Sequence, residues 1–194
     1  MKLLFVWDSA EYLRFYDSAI EECVARGHDV AIAYNCTNKK KLGGLRGLSA
    51  MDGRVRVLGL VPKGGAMWRR IAYGLRGIMD FVRYLHPRFA RATAARARMK
   101  RKVLPAAYRW LDRIPQLPAA AVRGIEHFLA TVERAIPVPQ SIVELLRRET
   151  PDVVLVSPLI DGSSDQVDLI KAARVCGVRS AVAVASSTRC LGPP

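Results

Sequence analysis

The stretch that decides the fold is residues 1–34, which read MKLLFVWDSAEYLRFYDSAIEECVARGHDVAIAY. Its apolar run at 3–7 predicts a strand that is buried on both faces. Residues 12–26 follow a helical period with their apolar side chains on one face, and Gly27 is placed to end that helix. A second apolar run at 30–34 predicts the next strand. A strand, a helix and a strand in about 30 residues make the βαβ unit of a parallel sheet.

The rest of the chain continues this pattern after a long helical interruption. Further strands are predicted at 55–60, at 153–157 and within 178–186, and a helix is predicted within 163–177. Helices are predicted over 67–85, 88–102, 120–134 and 140–149. We therefore predict one α/β domain over 1–194, a Rossmann-like open parallel sheet of about five strands with a helical, basic insertion at about 62–150.

The positive charge is concentrated in one part of the chain. The sequence has 31 Lys and Arg against 17 Asp and Glu, a formal net charge of +14. Residues 69–123 contain 14 of these basic residues and only Asp80 and Asp112 as acids, so they carry +12 of that total. A local field of this kind attracts phosphate groups on lipid, nucleic acid or substrates.

Composition also limits where the protein works. The four cysteines are widely spaced and form no CxxC or Cys/His cluster, which argues against a disulfide framework or a metal site and fits a reducing compartment. The first apolar run is too short for a signal peptide, and no window approaches the roughly 20 apolar residues that span a bilayer. The sequence therefore predicts a cytoplasmic protein with no zinc site.

Ligands of an open parallel sheet bind beyond the carboxyl ends of the strands, where the strand order reverses. Strand one and the strand at 153–157 are expected to flank that point. The loop after strand one offers Asp8 as a candidate base for a hydroxyl proton, with Tyr12 and Arg14 as candidate ligand-binding residues. The alternatives are that Asp8 or Ser9 caps the following helix and that Arg14 is a solvated surface residue.

The loop after the strand at 153–157 supplies the other half of the predicted site. It contains Asp161, Gly162, Ser163 and Gln166. The glycine permits a tight turn, and a serine that caps the next helix leaves that helix's first N–H groups facing a ligand. This arrangement suits an anionic or hydroxyl-rich ligand, although Ser163 is also explained by capping alone.

The predicted helix over 67–85 carries an apolar stripe flanked by arginines. Such a helix is typical of peptides that lie on an anionic membrane surface. The candidate docking residues are Trp68, Arg69, Arg70, Arg76 and Arg83. Two alternatives remain open: the stripe packs inside the domain with its arginines solvated, or the basic segment binds nucleic acid, for which no accompanying motif is present.

Both ends of the chain resemble one family. Tyr12, Leu13, Arg14 and Phe15, followed by RGHDV at 26–30, are similar to the opening of bacterial GT-B glycosyltransferases related to the UDP-glycosyltransferases. Residues 151–186 resemble a later part of the same N-terminal domain. The match covers about 35 residues at each end, and the basic middle is not recognisable.

The resemblance implies a domain that binds a hydroxyl-bearing acceptor (a sugar, a lipid or a small molecule). In that family a second domain binds the nucleotide-sugar donor, and no metal is needed as a rule. We therefore expect no metal and no cofactor in this chain, and a nucleotide-sugar donor only for a complete enzyme. The family pattern stops at Ser186. We therefore expect a truncated chain that is inactive alone, with a separate donor-domain chain as one partner.

The prediction for function is thus the acceptor-binding half of a glycosyltransferase, peripheral to the inner face of the membrane. The first alternative is a non-catalytic basic module that binds membrane or nucleic-acid polyanions. The second is a fragment of a sugar-nucleotide epimerase.

Overall fold

The computed structural model describes residues 1–36, 53–102, 114, 116–157 and 165–183. The strands are β1 (Lys2–Ser9), β2 (Asp29–Cys36), β3 (Val55–Leu60), β4 (Val153–Ser157) and β5 (Arg179–Val182). The helices are α1 (Asp17–Ala25), α2 (Ala66–Val82), α3 (Thr93–Lys102), α4 (Ala119–Ala135), α5 (Gln140–Glu149) and α6 (Gln166–Val175). Short 3₁₀ helices cover Ala10–Phe15, Arg83–Leu85 and Pro87–Phe89.

The strands form one open sheet of five in the order β3-β2-β1-β4-β5. Every neighbouring pair is parallel. The predicted Rossmann-like α/β fold is therefore confirmed. Chain order runs outward from β1 through β2 to β3 on one side and through β4 to β5 on the other, so the order reverses between β1 and β4, as the sequence predicted.

One face of the sheet packs against α1 and the 3₁₀ helix before it. Leu3, Phe5 and Trp7 on β1 form a core with Tyr16 and Ile20. Neighbouring strands add Val30, Ile32, Tyr34 and Val55 to this core, and Cys23 and Val24 pack at its edge. These contacts confirm the apolar helix face read from the sequence.

The opposite face of the sheet is buried as well. Leu4 and Val6 on β1 and their neighbours Val154 and Val156 on β4 have no more than traces of exposed surface. Strands buried on both faces read as continuous apolar runs, which explains why the run at 3–7 does not alternate. Helices α5 and α6 also carry buried apolar residues, among them Leu145, Leu146 and Leu169.

One element differs from the sequence prediction. The predicted helix over 12–26 is a 3₁₀ helix, Ala10–Phe15, followed by α1 from Asp17. The last strand begins at Arg179, and its four residues are exposed. It lies at the edge of the described sheet, beside β4, and it ends at Val182, inside the predicted range of 178–186.

The chain divides into two compact units. The first takes its described residues from 1–63, 140–159 and 168–194, and it holds the whole sheet. The second takes them from 64–139 and 160–167, and it holds α2, α3 and α4.

The second unit has its own small core. Phe81 and Val82 at the end of α2, and Leu85 in the 3₁₀ helix that follows, pack with Val122 on α4, and Ile78 joins them. Arg76 on α2 is buried beside this core and forms an ion pair with Glu133 on α4, with 2.8 Å between Arg76 Nη2 and Glu133 Oε1. The carboxyl-terminal half of α2 is therefore held by α4.

Candidate functional site

Asp8 lies at the carboxyl end of β1, at the point where the strand order reverses. It belongs to the strand, one residue before its end, and is exposed. Side chains alternate along a strand, so Asp8 lies on the sheet face opposite Trp7. An exposed carboxylate in this position can accept a proton from a ligand hydroxyl.

Asn35 is the neighbour of Asp8 on β2. Trp7 pairs with Tyr34 and Ser9 with Cys36, so Asn35 stands opposite Asp8 and shares its face of the sheet. The residue is only 7% exposed, and its amide Nδ2 is buried with no hydrogen-bond partner among the described residues. A buried donor left without a partner costs about 1–3 kcal/mol. Neither motif nor resemblance pointed to Asn35, because a polar residue at the end of a strand is ordinary.

The 3₁₀ helix Ala10–Phe15 carries the other predicted residues of this loop. Tyr12 is half-buried, and its ring lies 6.0 Å from that of Phe15 between centroids. Arg14 is exposed, with its guanidinium 4.6 Å from the Phe15 ring centroid. Ser9 precedes the helix at its N-cap position, but its side chain makes no capping hydrogen bond. Tyr12 packs against the core on the Trp7 face of the sheet, whereas Asp8 lies on the opposite face, so the structure does not bring these two predicted residues together on one face.

On the Trp7 face, the same edge of the sheet is closed by a buried hydrogen-bond chain. The Tyr16 hydroxyl donates to the Ala183 carbonyl at 3.0 Å and lies 2.5 Å from Ser157 Oγ. Since a phenol has one proton, Ser157 donates to Tyr16. Trp7 stacks on Tyr16 with a centroid distance of 6.1 Å and an interplanar angle of 13°. This chain joins β4 and the end of β5 to the start of α1. Sequence reasoning did not identify Ser157, since a serine that ends a strand carries no distinctive signal.

The predicted second loop is described only at its end. Asp161, Gly162 and Ser163 lie outside the described residues. Gln166 is the first residue of α6 and is fully buried.

The predicted docking helix divides into two halves. In the amino-terminal half of α2, Met67, Trp68 and Ile71 are 64%, 44% and 45% exposed. They are spaced at three and four residues and therefore share one helix face. Arg70 is exposed beside them, and Arg69 is half-buried. This half of the helix combines apolar side chains with positive charge.

The two remaining arginines that were predicted to dock, Arg76 and Arg83, differ in their exposure to solvent. Arg76 is only 5% exposed, and both its Nε and its Nη2 donate to Glu133 Oε1 at 3.1 and 2.8 Å. Its inclusion in the docking set was wrong, because the charge is neutralised inside the second unit. Arg83 is exposed and lies 3.7 Å from Asp80 Oδ1 and 3.9 Å from Glu126 Oε1.

Metal ligands, membrane spans and reactive thiols are the other features that bear on function. The described residues contain no cluster of three or more His, Cys, Asp and Glu side chains that could hold a metal ion. In that part of the chain, none of the helices has the length and apolar character needed to cross a bilayer. Burial raises the pKa of the Cys23 thiol, partly opposed by Arg26, so this cysteine is less easily ionised than a free one.

Comparison of the chain with protein-family models, with curated proteins and with solved structures found no match in any of the three.

Proposed function

We propose that the chain binds a hydroxyl-bearing acceptor as the acceptor half of a GT-B glycosyltransferase. The observation that carries the proposal is the exposed Asp8 at the carboxyl end of β1, between β2 and β4. Parallel sheets bind ligands where the strand order reverses. Tyr12 and Arg14 follow directly on the next element, and they belong to the segment that resembles the family.

The reaction assigned to Asp8 is general-base catalysis. Its carboxylate accepts the proton of the acceptor hydroxyl, and the oxygen forms a bond to the anomeric carbon of the donor sugar. The bond from that carbon to the nucleotide diphosphate breaks, and the diphosphate leaves with the bonding pair. By the resemblance, the donor nucleotide is held by a second domain, so this chain's contribution is to bind and orient the acceptor.

Calorimetric titration tests acceptor binding directly. The probes are methyl glucoside, resorcinol and 3-hydroxydecanoate, which represent sugar, phenol and lipid acceptors. We expect at least one to bind, and we expect Asp8→Asn to weaken that binding about tenfold or more, since a hydrogen bond to a charged group is lost. Asp29→Asn is the matched control, because Asp29 is exposed at the opposite end of β2. No binding of any probe, or equal binding by Asp8→Asn, would contradict the proposal.

We also propose that the first two turns of α2 dock on an anionic membrane surface, on its cytoplasmic side. The support is the exposed face of Met67, Trp68 and Ile71 with Arg69 and Arg70 beside it. The surrounding segment 69–123 carries +12 of the chain's charge. Basic residues near an anionic bilayer contribute about 1 kcal/mol each, so a few contacts suffice for reversible binding.

Vesicle co-sedimentation distinguishes this role from the alternatives. We expect binding to vesicles of phosphatidylcholine with phosphatidylglycerol and little binding to phosphatidylcholine alone. The double variant Trp68→Ala and Ile71→Ala should lose most of it. Tyr73→Ala is the control, since Tyr73 is similarly exposed on the same helix but about 200° around it from Ile71. Equal binding to both vesicles, or to neither, rejects membrane docking. Strong DNA binding that falls steeply with salt would favour a nucleic-acid module instead.

A further inference from the structure

Asn35 has an unusual environment for a residue that no pattern in the sequence singled out. A buried amide usually finds a hydrogen-bond partner, because a buried polar group is costly without one. The Nδ2 of Asn35 finds none among the described residues, although the side chain is more than nine-tenths buried. A buried donor without a partner calls for an explanation, and a ligand that supplies an acceptor oxygen is one.

The position of this donor connects it to the candidate site. Asn35 stands opposite Asp8 at the carboxyl ends of two hydrogen-bonded strands, and the two residues share one face. Their backbones are separated by the spacing of adjacent strands, about 4.8 Å. An acceptor group, the carboxylate of Asp8, and a donor group, the amide of Asn35, are therefore presented side by side.

Together these groups match the chemistry of neighbouring hydroxyls. A hydroxyl is both donor and acceptor, whereas an ionised carboxylate only accepts and an amide NH₂ only donates. We propose that Asn35 is a binding residue of the acceptor site and that the acceptor carries two adjacent hydroxyl groups, as a sugar does. One hydroxyl donates to Asp8, and the oxygen of its neighbour accepts from Asn35 Nδ2. This inference rests on the proposed acceptor-binding function and names the substrate class of that site.

Asn35→Leu is the first test, because leucine has a similar size and no polar group. The unpartnered donor disappears, so the ligand-free chain should be at least as stable to heat as the wild type. Binding of methyl glucoside should weaken at least tenfold, while Asp29→Asn leaves it unchanged. If leucine does not fit and the Asn35→Leu variant fails to fold, the Asn35→Ala variant is used in its place. Its affinity for methyl glucoside then tests the role of Asn35.

The possible results distinguish a failure of the role proposed for Asn35 from a failure of the proposed acceptor binding. Wild-type affinity for methyl glucoside in the variant overturns the role of Asn35 but leaves acceptor binding standing. If Asn35→Leu is less stable to heat but binds methyl glucoside as the wild type does, the binding role is overturned as well. Asn35 then stabilises the fold. If the wild type binds resorcinol or 3-hydroxydecanoate but does not bind methyl glucoside, the proposal that the acceptor is a diol is overturned. The proposal that the chain binds an acceptor then still stands. Binding of none of the three contradicts both proposals.

Discussion

Tyr16 connects three parts of the first unit through one hydroxyl group. It donates to the Ala183 carbonyl just after β5, accepts from Ser157 at the end of β4, and stacks on Trp7 of β1. The side chain is buried, so these hydrogen bonds do not compete with solvent. Its position holds the edge strand β5, whose own residues are exposed, against the rest of the sheet.

Removing this hydroxyl should therefore destabilise the protein. We expect Tyr16→Phe to lower the free energy of unfolding by about 1–3 kcal/mol, because buried polar groups lose a partner. Tyr12→Phe is the control in the same unit, and a half-buried tyrosine outside this chain should change stability by no more than about 0.5 kcal/mol. Urea denaturation followed by circular dichroism measures both. Equal stability of Tyr16→Phe and the wild type would show that the hydrogen-bond chain contributes nothing.

At this scale the sequence could predict Asp8 but not its neighbours. Asp8 was identifiable because it ends an apolar run, and strand ends meet at a known edge of a parallel sheet. Asn35 stands 27 residues after Asp8, its partner across the strands, and Ser157 stands 150 residues after its own partner, Trp7. Their proximity depends on the strand register, which apolar runs without alternation do not specify.

The apolar side chains of helix α2 are buried near its end and exposed near its start. Its end packs on α4 through Phe81 and Val82, while Met67 and Trp68 near its start remain exposed. The ion pair of Arg76 with Glu133 lies among the packed turns. A buried pair costs desolvation of both charges, so its strength depends on both partners being present.

Breaking this pair should be far more damaging than breaking an exposed one on the same helix. We expect Glu133→Ala to destabilise the second unit by about 3 kcal/mol, since the buried Arg76 loses its ion pair with Glu133. Glu126→Ala, whose partner Arg83 is exposed at 3.9 Å, should cost less than about 1 kcal/mol. Amide hydrogen exchange in α2 and α4 measures the loss of stability in the Glu133→Ala and Glu126→Ala variants. Similar protection in both variants would contradict the assignment of the pair as a buried one.

The periodicity of α2 could predict that it is amphipathic, but not which turns are covered. The stripe from Met67 to Leu85 is continuous in sequence, and its covered half is decided by where α4 lies. The pairing of Arg76 with Glu133 spans 57 residues and leaves no local pattern. No motif in the sequence singled out Phe81, which enters the core by packing with Val122 on α4.

At the scale of the whole molecule, the parallel sheet and the strongly basic segment 69–123 belong to different units. The sheet and the candidate acceptor site belong to the first unit, and the basic helices α2 and α3 belong to the second. The alternation of strands and helices in residues 1–34 was enough to predict the parallel sheet, and β4 and β5 completed it as expected. The proposed acceptor site and the proposed docking helix therefore belong to different units.

The most direct test of the central claim is a two-dimensional NMR titration of the ¹⁵N-labelled chain with methyl glucoside, resorcinol and 3-hydroxydecanoate. Binding at the carboxyl edge of β1 and β2 predicts shifts in the amide signals of residues 8–15 and of Asn35. The signals of α2 and α4 should stay in place. No shift with any of the three probes, or shifts confined to residues 64–139, would contradict the assignment of the acceptor site to this edge of the sheet.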